Sequence, residues 1–370
     1  MIGSARNTGR RVDPWAEAVA LHERALSLVD DCRFGEAARL CTTAIGLLES
    51  EVGHAHPDVA NVVSLLGTAE DELGNHAVAE EQHRRAVAVL QAYQPAGGDL
   101  LRLLVQAQVG LAGCLRRQGR YSDAETLYQQ AFAAAEGTPE YGEAELAPLC
   151  NEIGILYKFS GRFDDAERYY RRALEALTAA CGPDDPQLAG LFHNLAGLAH
   201  SRGQLAKAEA YARLSVRLRR LAMPADHPAV VADEAHLAAV LEAAGKLTEA
   251  EPLLRQAIGY FTARYGAGHY EVAVNQHNLA AVRAGLGDLA GAEELYLRSL
   301  AGKQAALGAD HPEVGLTLHN LAVLAADLGQ PDRARELATE AHRVLAAGVA
   351  PDHPARRAAQ AHITALGPAE

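Results

Sequence analysis

A single repeat runs along almost the whole chain of 370 residues and limits the folds that the chain can adopt. A turn residue, glycine in every repeat but the first, is followed by alanine five residues later and by alanine or serine twelve residues later. Successive turn residues are 42 residues apart, except for one interval of 45. Because a segment of this length cannot bury its own apolar face, the period predicts a stack of similar units. The turn residues are Cys32, Gly74, Gly119, Gly161, Gly203, Gly245, Gly287 and Gly329.

Each repeat is predicted to contain two antiparallel helices joined at the turn residue. Leucine or isoleucine stands eight residues before the turn in most repeats, and the alanine after the turn is small enough for two helices to approach closely. Glycine ends a helix readily, because without a Cβ it adopts positive φ at little cost. Helix formers dominate and aromatic residues make up only 5% of the chain, so we expect an all-α protein.

Pairs of histidine and proline stand between several repeats, where the next helix would begin. Proline suits the first turn of a helix, because its fixed φ is helical and an N–H would have no partner there. We interpret the histidines as local turn or cap residues rather than as ligands. The pairs are His56-Pro57, His227-Pro228, His311-Pro312 and His353-Pro354, with Asp185-Pro186 and His269-Tyr270 at equivalent places.

Composition narrows the possible partners. The net charge of −13, from 47 acidic and 34 basic residues, argues against a nucleic-acid partner. No apolar stretch is long enough to cross a membrane and no secretory leader is visible, so we expect a cytoplasmic protein without a membrane partner. Four lysines accompany thirty arginines, a bias that suggests a bacterial source with a GC-rich genome.

Known chemical motifs give no catalytic assignment. The sequence contains no P-loop, no G-x-S-x-G, no H-E-x-x-H and no Rossmann fingerprint, so no cofactor and no catalytic residue is predicted. The five cysteines include no C-x-x-C pair, which disfavours a structural zinc site. We expect the cysteines to be small buried side chains.

Two short motifs identify the kind of repeat. His193-Asn194-Leu195-Ala196 falls on a predicted first helix and recurs at 277–280 and 319–322. A second-helix start is shared by Gly119-Arg-Tyr-Ser-Asp-Ala-Glu125 and by residues 161–167. With the 42-residue period, this pattern resembles the tetratricopeptide repeat (TPR) in the long form of kinesin light chains. The resemblance covers roughly residues 16–347 and weakens in the first repeat, where Cys32 replaces glycine and Arg24 replaces leucine.

The resemblance implies a fold and a division of the chain. The expected fold is all-α, a right-handed α-α superhelical TPR solenoid of about eight helix-turn-helix repeats with a C-terminal capping helix. We expect a flexible segment over residues 1–13, the solenoid over 14–348, and a capping helix and tail over 349–370. The capping helix is predicted from about Pro354 to Leu366, because the terminal face of a repeat stack needs a polar cover.

In such solenoids the first helix of each pair lines the concave face, so fixed offsets before each turn give candidate groove residues. Arg116, Arg117 and Lys158 form a basic cluster that we predict to bind a carboxylate of an acidic partner, unless the acids one repeat away neutralise it. The full candidate set is Arg116, Arg117, Asn151, Lys158, His193, Asn194, His200, His236, His277, Asn278, His319 and Asn320, with Asp71, Glu72 and Glu242 at equivalent offsets.

The amides and histidines of this set have their own expected roles. The resemblance implies that Asn194, Asn278 and Asn320 hydrogen-bond the backbone of an extended peptide, although they could instead bridge neighbouring helices. No metal site is predicted from the histidines, because helices of successive repeats stand roughly 10 Å apart. Several histidines in one groove could make binding depend on pH near neutrality.

Three functions are therefore open. The leading hypothesis is a protein–protein interaction adaptor or scaffold that holds a peptide segment or a helix of a partner in the concave groove. The first alternative is a regulator that senses a ligand or peptide and acts through a partner protein. The second alternative is a small biosynthetic enzyme with His193, His200 or His277 as acid or base and Arg116 or Lys158 binding an anion. A homo-oligomer is possible in each case.

Overall fold

The computed structural model describes residues 13–95, 97–139, 141–351 and 353–366. These residues form seventeen α-helices and one short 3₁₀ helix, without strands, and the all-α prediction is confirmed. The first eight helices are α1 (Pro14–Asp30), α2 (Phe34–Val52), α3 (Pro57–Glu72), α4 (His76–Ala92), α5 (Gly98–Arg117), α6 (Tyr121–Ala135), α7 (Glu143–Phe159) and α8 (Phe163–Cys181). A 3₁₀ helix (Pro186–Leu188) precedes α9 (Ala189–Ser201), α10 (Leu205–Ala222), α11 (Pro228–Ala243), α12 (Leu247–Tyr265), α13 (Tyr270–Gly285), α14 (Leu289–Leu307), α15 (Pro312–Asp327), α16 (Pro331–Gly348) and α17 (Pro354–Leu366).

Two compact units divide the chain, an N-terminal unit over Met1–Cys114 and a C-terminal unit over Leu115–Glu370. The division falls inside α5. From α1 to α4 and from α6 to α17, each helix packs on the one that follows it in the chain, and α17 packs on α16 as the predicted terminal helix. Of the segment expected to be flexible, residues 1–12 lie outside the described part. None of the described helices has the length and apolar character that a bilayer crossing requires.

The turn glycines have the backbone conformation that the sequence pattern implies. All seven have φ between 70° and 87°, and the residue after each glycine donates its N–H to a carbonyl at the end of the first helix. For example, Arg162 donates to the Tyr157 carbonyl at 2.8 Å. Cys32 adopts the same geometry with φ of 54°, which is strained for a side chain that carries a Cβ.

Small residues bring the two helices of each repeat into contact. The alanine five residues after the turn has no exposed surface in any of the eight repeats, and the residue twelve after the turn is equally buried. Where a large side chain packs between helices, the residue that it faces is glycine. A Cβ added to Gly154 would lie 2.5 Å from Cε1 of the fully buried Tyr170, and His83 approaches Gly67 and Gly110 in the same way.

The expectation that all five cysteines are buried holds for three of them. Cys41, Cys114 and Cys150 are buried, whereas Cys32 and Cys181 are partly exposed at helix ends. All five are free thiols. Burial raises the pKa of Cys41 to about 12, so this thiol remains protonated at neutral pH.

The histidines between repeats cap helices, as predicted. In His56, His227 and His311 the ring Nδ1 accepts the backbone N–H two residues later at 3.2 to 3.3 Å. His269 makes the same bond to Glu271 at 3.3 Å although no proline follows it. The cap satisfies one of the N–H groups that every helix start leaves without an intrahelical acceptor.

Ion pairs connect consecutive repeats along the second helices. A glutamate stands six residues after the turn in five successive repeats, and each one pairs with a base of the next repeat. The pairs are Glu125–Arg162, Glu167–Arg202, Glu209–Lys246, Glu251–Arg283 and Glu293–Arg333. Because these groups are partly exposed, each pair stabilises the fold by no more than about 1 kcal/mol and serves mainly to fix how repeats align.

Asp233 on α11 is the centre of a buried polar network. Its carboxylate lies 2.7 Å from His193 Nδ1 and 2.9 Å from both Ser215 Oγ and Arg219 Nε, and the residue is only 4% exposed. Burial raises the pKa of Asp233, but the hydrogen bond from His193 and the ion pair with Arg219 outweigh burial and lower it below its ordinary value of 3.8. The network joins α9, α10 and α11.

Alanine should have opposite effects at two helical glycines of the C-terminal unit. Gly154 packs against the Tyr170 ring, whereas Gly259 faces open space. Gly154→Ala should lower the free energy of unfolding by about 1 to 2 kcal/mol, because overpacking against a buried ring exceeds the gain in helix propensity. Gly259→Ala, where nothing lies within 4 Å of the added Cβ, should raise it by up to about 1 kcal/mol. Urea unfolding measures both, and a Gly154→Ala protein as stable as the parent would contradict the packing.

The Asp233 network predicts how stability depends on acid. A carboxyl whose pKa is lowered by folding contributes stability above its unfolded pKa and loses that contribution as pH falls through the folded value. Asp233→Asn should therefore cost about 2 kcal/mol at pH 7, and its deficit against the parent should shrink below about pH 4. Asp184→Asn is the matched control, because Asp184 pairs with Arg217 on the surface. Equal deficits for the two variants in urea unfolding at pH 7 would refute the buried network.

Candidate functional site

The first helices form the inner layer of the C-terminal unit. Helix α9 contacts both α7 and α11, and α11 also contacts α13, whereas the second helices make no comparable contact with one another in the part of the chain that the structure describes. Helix α15 joins this layer through the hydrogen bond between Thr317 and His277 of α13. Elements on the inside of a curved stack approach each other more closely than those on the outside. The concave side, called the inner surface below, is therefore made by α7, α9, α11, α13 and α15.

The C-terminal unit also closes on itself. A Cβ on Gly119 would lie 3.2 Å from Pro312 Cδ, and one on Gly161 would lie 2.8 Å from His353 Cδ2. Tyr121 packs on the apolar cluster of α15 and α16. The turns of the third and fourth repeats thus touch the starts of α15 and α17. A cavity of about 240 Å³ lies at this contact, lined by Tyr121, Ser122, Glu125, Leu156, Ser160, Gly161, Arg162, Gly348, Val349 and Ala350.

Lys158 extends from α7 across the backbone of α9. A Cβ on Gly197 would lie 3.1 Å from Lys158 Nζ and 3.5 Å from His236 Cε1, so the ammonium and the imidazole meet above this glycine. The ammonium lies 4.7 Å from the Phe159 ring centre and makes no hydrogen bond or ion pair with any described residue. Burial, assisted by the charge of Arg116, lowers the pKa of Lys158 to about 8.

His236 and His200 lie near this ammonium, and His193 lies against His236. The rings of His193 and His236 are 4.1 Å apart between centres, much closer than the helix spacing suggested, and His193 is held by Asp233. Burial, followed by the neighbouring charges of His193 and Lys158, lowers the pKa of His236 well below its ordinary value. Burial and Lys158 also lower the pKa of His200. Within the described residues, His, Cys, Asp and Glu form no group of three or more able to hold a metal ion.

Arg116 belongs to a separate pair at the end of α5. Its guanidinium lies 3.5 Å from the Glu152 carboxylate and is only 11% exposed. Arg117 is partly buried beside it. Arg116 therefore has a neutralising partner on α7, whereas Lys158 makes no ion pair with a described carboxylate.

The asparagines predicted to bind a peptide differ in their hydrogen bonds. Asn194 donates to the Asn151 side-chain oxygen at 2.8 Å, so these two amides connect α9 with α7. Asn320 donates to His277 Nε2 at 3.0 Å. Asn278, by contrast, makes no hydrogen bond to a described residue.

The C-terminal histidines are engaged within the fold. Thr317 Oγ1 lies 3.1 Å from His277 Nδ1, and burial with the nearby Lys303 lowers the pKa of His277 well below its ordinary value. His319 packs edge-on against His362 of α17 with ring centres 5.7 Å apart, and burial lowers its pKa. The enzyme hypothesis therefore loses His277 as a freely accessible base.

Some features of the inner surface were not visible in the sequence. Glu313 at the start of α15 accepts a hydrogen bond from Tyr270 at 2.5 Å and lies 3.4 Å from the buried ammonium of Lys303. Lys303 stands on a second helix, so no offset rule predicts its inward position. Glu242 occupies the same offset as Lys158 and has no described partner, and burial raises its pKa.

Solved structures of similar fold include two Rap proteins, each in complex with another molecule. The Rap conjugation gene regulator of the plasmid pLS20, in complex with the Phr* peptide, is 15% identical over 83% of this chain and 80% of that chain, with a TM-score of 0.61. A Rap protein complexed with Competence and Sporulation Factor is 13% identical over 95% and 98%, with a TM-score of 0.60. Identities this low show a shared fold and nothing more.

A closer sequence likeness has a weaker structural match. TPR-like repeats of a Podosopora anserina protein described as a kinesin light chain are 24% identical over 55% of this chain and 96% of that chain, with a TM-score of 0.41. No curated protein matches the chain significantly.

Family models of the tetratricopeptide repeat match most of the sequence. One model matches residues 16–92, 145–220, 231–305 and 271–347, and a second matches residues 109–140. These matches cover the same helix pairs that the turn glycines delimit in the structure. The chain therefore belongs to the tetratricopeptide repeat family.

Proposed function

We propose that the C-terminal unit binds an extended peptide segment of a partner protein on its inner surface and serves as an interaction adaptor. The observation that carries this proposal is a difference in ion pairing and hydrogen bonding between the second helices and the inner surface. The glutamates along the second helices are bonded to bases of the next repeat, whereas Lys158, Glu242 and Asn278 on the inner surface make no hydrogen bond or ion pair with a described residue.

The unpaired ammonium of Lys158 favours an acidic segment. A half-buried cation without a counter-ion costs free energy, as its lowered pKa records, and a ligand carboxylate would offset that cost. A charge-assisted hydrogen bond of this kind contributes about 1.5 to 3 kcal/mol. We therefore place a carboxylate of the partner at Lys158.

Asn278 supplies a contact that does not depend on the partner's side chains. An amide side chain both donates and accepts, so it can bond the N–H and C=O of an extended main chain at once. With helices roughly 8 to 10 Å apart, the layer from α7 to α15 offers space for a segment of about ten residues. In this proposal Asn194 and Asn320 keep their bonds within the fold and shape the surface beside the peptide.

The comparisons support this proposal by precedent. Two proteins of similar fold were solved with a bound peptide or factor, so a stack of this kind can hold such a ligand. One of them is described as a gene regulator, which bears on the second candidate, a peptide-sensing regulator that acts through another protein. The contact between Gly119 and Pro312 favours the regulator as well. This contact joins the two ends of the C-terminal unit, and a peptide bound on the inner surface would act on both ends.

The adaptor proposal predicts which peptides bind and which variant loses them. On an array of ten-residue peptides, the intact protein should retain acidic sequences, and Lys158→Met should bind them at least about tenfold more weakly because it removes one charge-assisted hydrogen bond. Asn278→Ala should weaken all bound peptides alike, by roughly threefold to tenfold. Fluorescence polarisation with the retained peptides measures both effects.

The matched control is Lys207→Met. Lys207 is exposed on α10 and lies 3.7 Å from Glu167, so its charge is neutralised away from the inner surface. Circular dichroism checks that each variant is folded. Equal affinity of Lys158→Met, Lys207→Met and the intact protein would place binding outside the inner surface and refute the proposal.

A further inference from the structure

The loop between α10 and α11 exposes a continuous stretch of apolar surface. Leu221, near the end of α10, is 66% exposed, the largest fraction among the described large apolar side chains. Ala222, Pro224 and Ala225 beside it are exposed as well. Four other repeats have alanine at the position of Leu221, so the fold itself does not require a leucine there. These alanines are Ala179, Ala263, Ala305 and Ala347. An exposed apolar stretch of this kind marks a contact surface.

This loop has the backbone conformation of the loop between α16 and α17. Met223 and Val349 end their helices in the extended region, both with φ of −134°. In each loop the histidine N–H donates to the carbonyl three residues earlier at 3.0 Å. The bonds are His227 to Pro224 and His353 to Ala350. Helices α8, α12 and α14 instead end at a glycine with positive φ, so the two loops are two copies of one structural element.

The loop between α16 and α17 is already docked within the C-terminal unit. Val349 and Ala350 line the cavity of about 240 Å³ opposite the turn of the fourth repeat. A Cβ on the turn residue Gly161 would lie 2.8 Å from the His353 ring. Val349 is only 9% exposed as a result, whereas Met223, its equivalent, is partly exposed. A loop of this conformation can therefore pack on the edge of a repeat turn.

We propose that the loop between α10 and α11 docks on a repeat turn of a second copy of this chain. The turns of the fifth, sixth and seventh repeats are available, because no described atom lies within 4 Å of a Cβ added to Gly203, Gly245 or Gly287. The seventh turn is the apolar one. Leu286 precedes Gly287 and is 45% exposed, whereas the fifth and sixth turns have arginine and alanine there. The acceptor is therefore the turn of the seventh repeat.

A second copy fits because one chain presents the two surfaces at opposite edges. In an antiparallel helix pair the turn lies at one end, and the loops between repeats lie at the other end. Gly287 is exposed and Met223 partly exposed within the same C-terminal unit, so neither surface covers the other. A contact between copies is then head-to-tail, with a different surface on each partner. This contact is independent of the peptide proposed above.

Ion pairs neutralise charges near both surfaces. Beside Leu221, Arg220 pairs with Glu234 at 2.6 Å. Beside the seventh turn, Asp288 pairs with Arg283 at 2.8 Å. Docking would therefore remove apolar groups from water without stripping water from these charges unpaired.

Sedimentation velocity of the full chain measures the contact. The intact protein should associate reversibly as its concentration rises, with a dissociation constant on the order of 10 to 100 µM, as expected for a small apolar interface. Because a head-to-tail contact leaves one free surface on each terminal copy, species larger than a dimer should appear at the highest concentrations.

Two variants test the two surfaces separately. Leu221→Ala introduces the residue that four other repeats already have, and Leu286→Ala removes apolar surface from the seventh turn. Each should weaken association at least about tenfold, since a few central residues dominate the affinity of an interface. Leu297→Ala is the matched control, because Leu297 is 44% exposed but lies in the middle of α14. Circular dichroism checks that each variant is folded.

Mixing the two variants tests the head-to-tail arrangement. The Leu221→Ala chain keeps an intact seventh turn, and the Leu286→Ala chain keeps an intact loop. An equimolar mixture should therefore form dimers with about the affinity of the intact protein, although neither variant associates comparably alone.

Three results would overturn the inference. One is an intact chain that stays monomeric up to about 500 µM, which would leave the apolar loop to a different protein. Another is equal weakening by the Leu297→Ala control. The third is a mixture of the two variants that associates no more tightly than either variant by itself.

Discussion

The packing of the two helices of each repeat around one buried alanine is the constraint on which the rest of the structure depends. Because the alanine after the turn has no exposed surface in all eight repeats, the two helices approach closely and in nearly the same way each time. The positive φ of the turn glycines reverses the chain so that the second helix packs against the first. Repeating one such pair builds a curved layer of first helices, and the curvature brings side chains 42 residues apart to the same surface.

Local features of this architecture were predictable, because each depends on a few neighbouring residues. The turn glycines, the histidine caps and helix α17 all follow from offsets within one repeat. The pairing of Asn194 with Asn151 and of His277 with Asn320 depends on side-chain rotamers across repeats, which no offset determines. The sequence therefore indicated which residues share a face but left open which of them bond to one another.

The closure of the C-terminal unit was not predictable for a related reason. It is the sum of small rotations between successive repeats, and no single residue encodes that sum. The approach of His193 to His236 has the same origin, since adjacent offsets on neighbouring helices place the rings 4.1 Å apart despite the larger spacing of the helix axes. The axis spacing of roughly 10 Å is therefore a poor measure of how far apart two such rings lie.

Closure also changes what the charges of the inner surface can do. Water has less access to a surface bounded at both ends, so an ammonium such as Lys158 interacts more strongly with a partner there than it would on the outer face. The outer ion pairs, although more numerous, are screened and contribute mainly alignment. Gly119 and Gly161 link the two effects, since the same absence of a Cβ that permits their positive φ also lets the starts of α15 and α17 approach. The turns of the third and fourth repeats thus join their own helix pairs and also close the C-terminal unit.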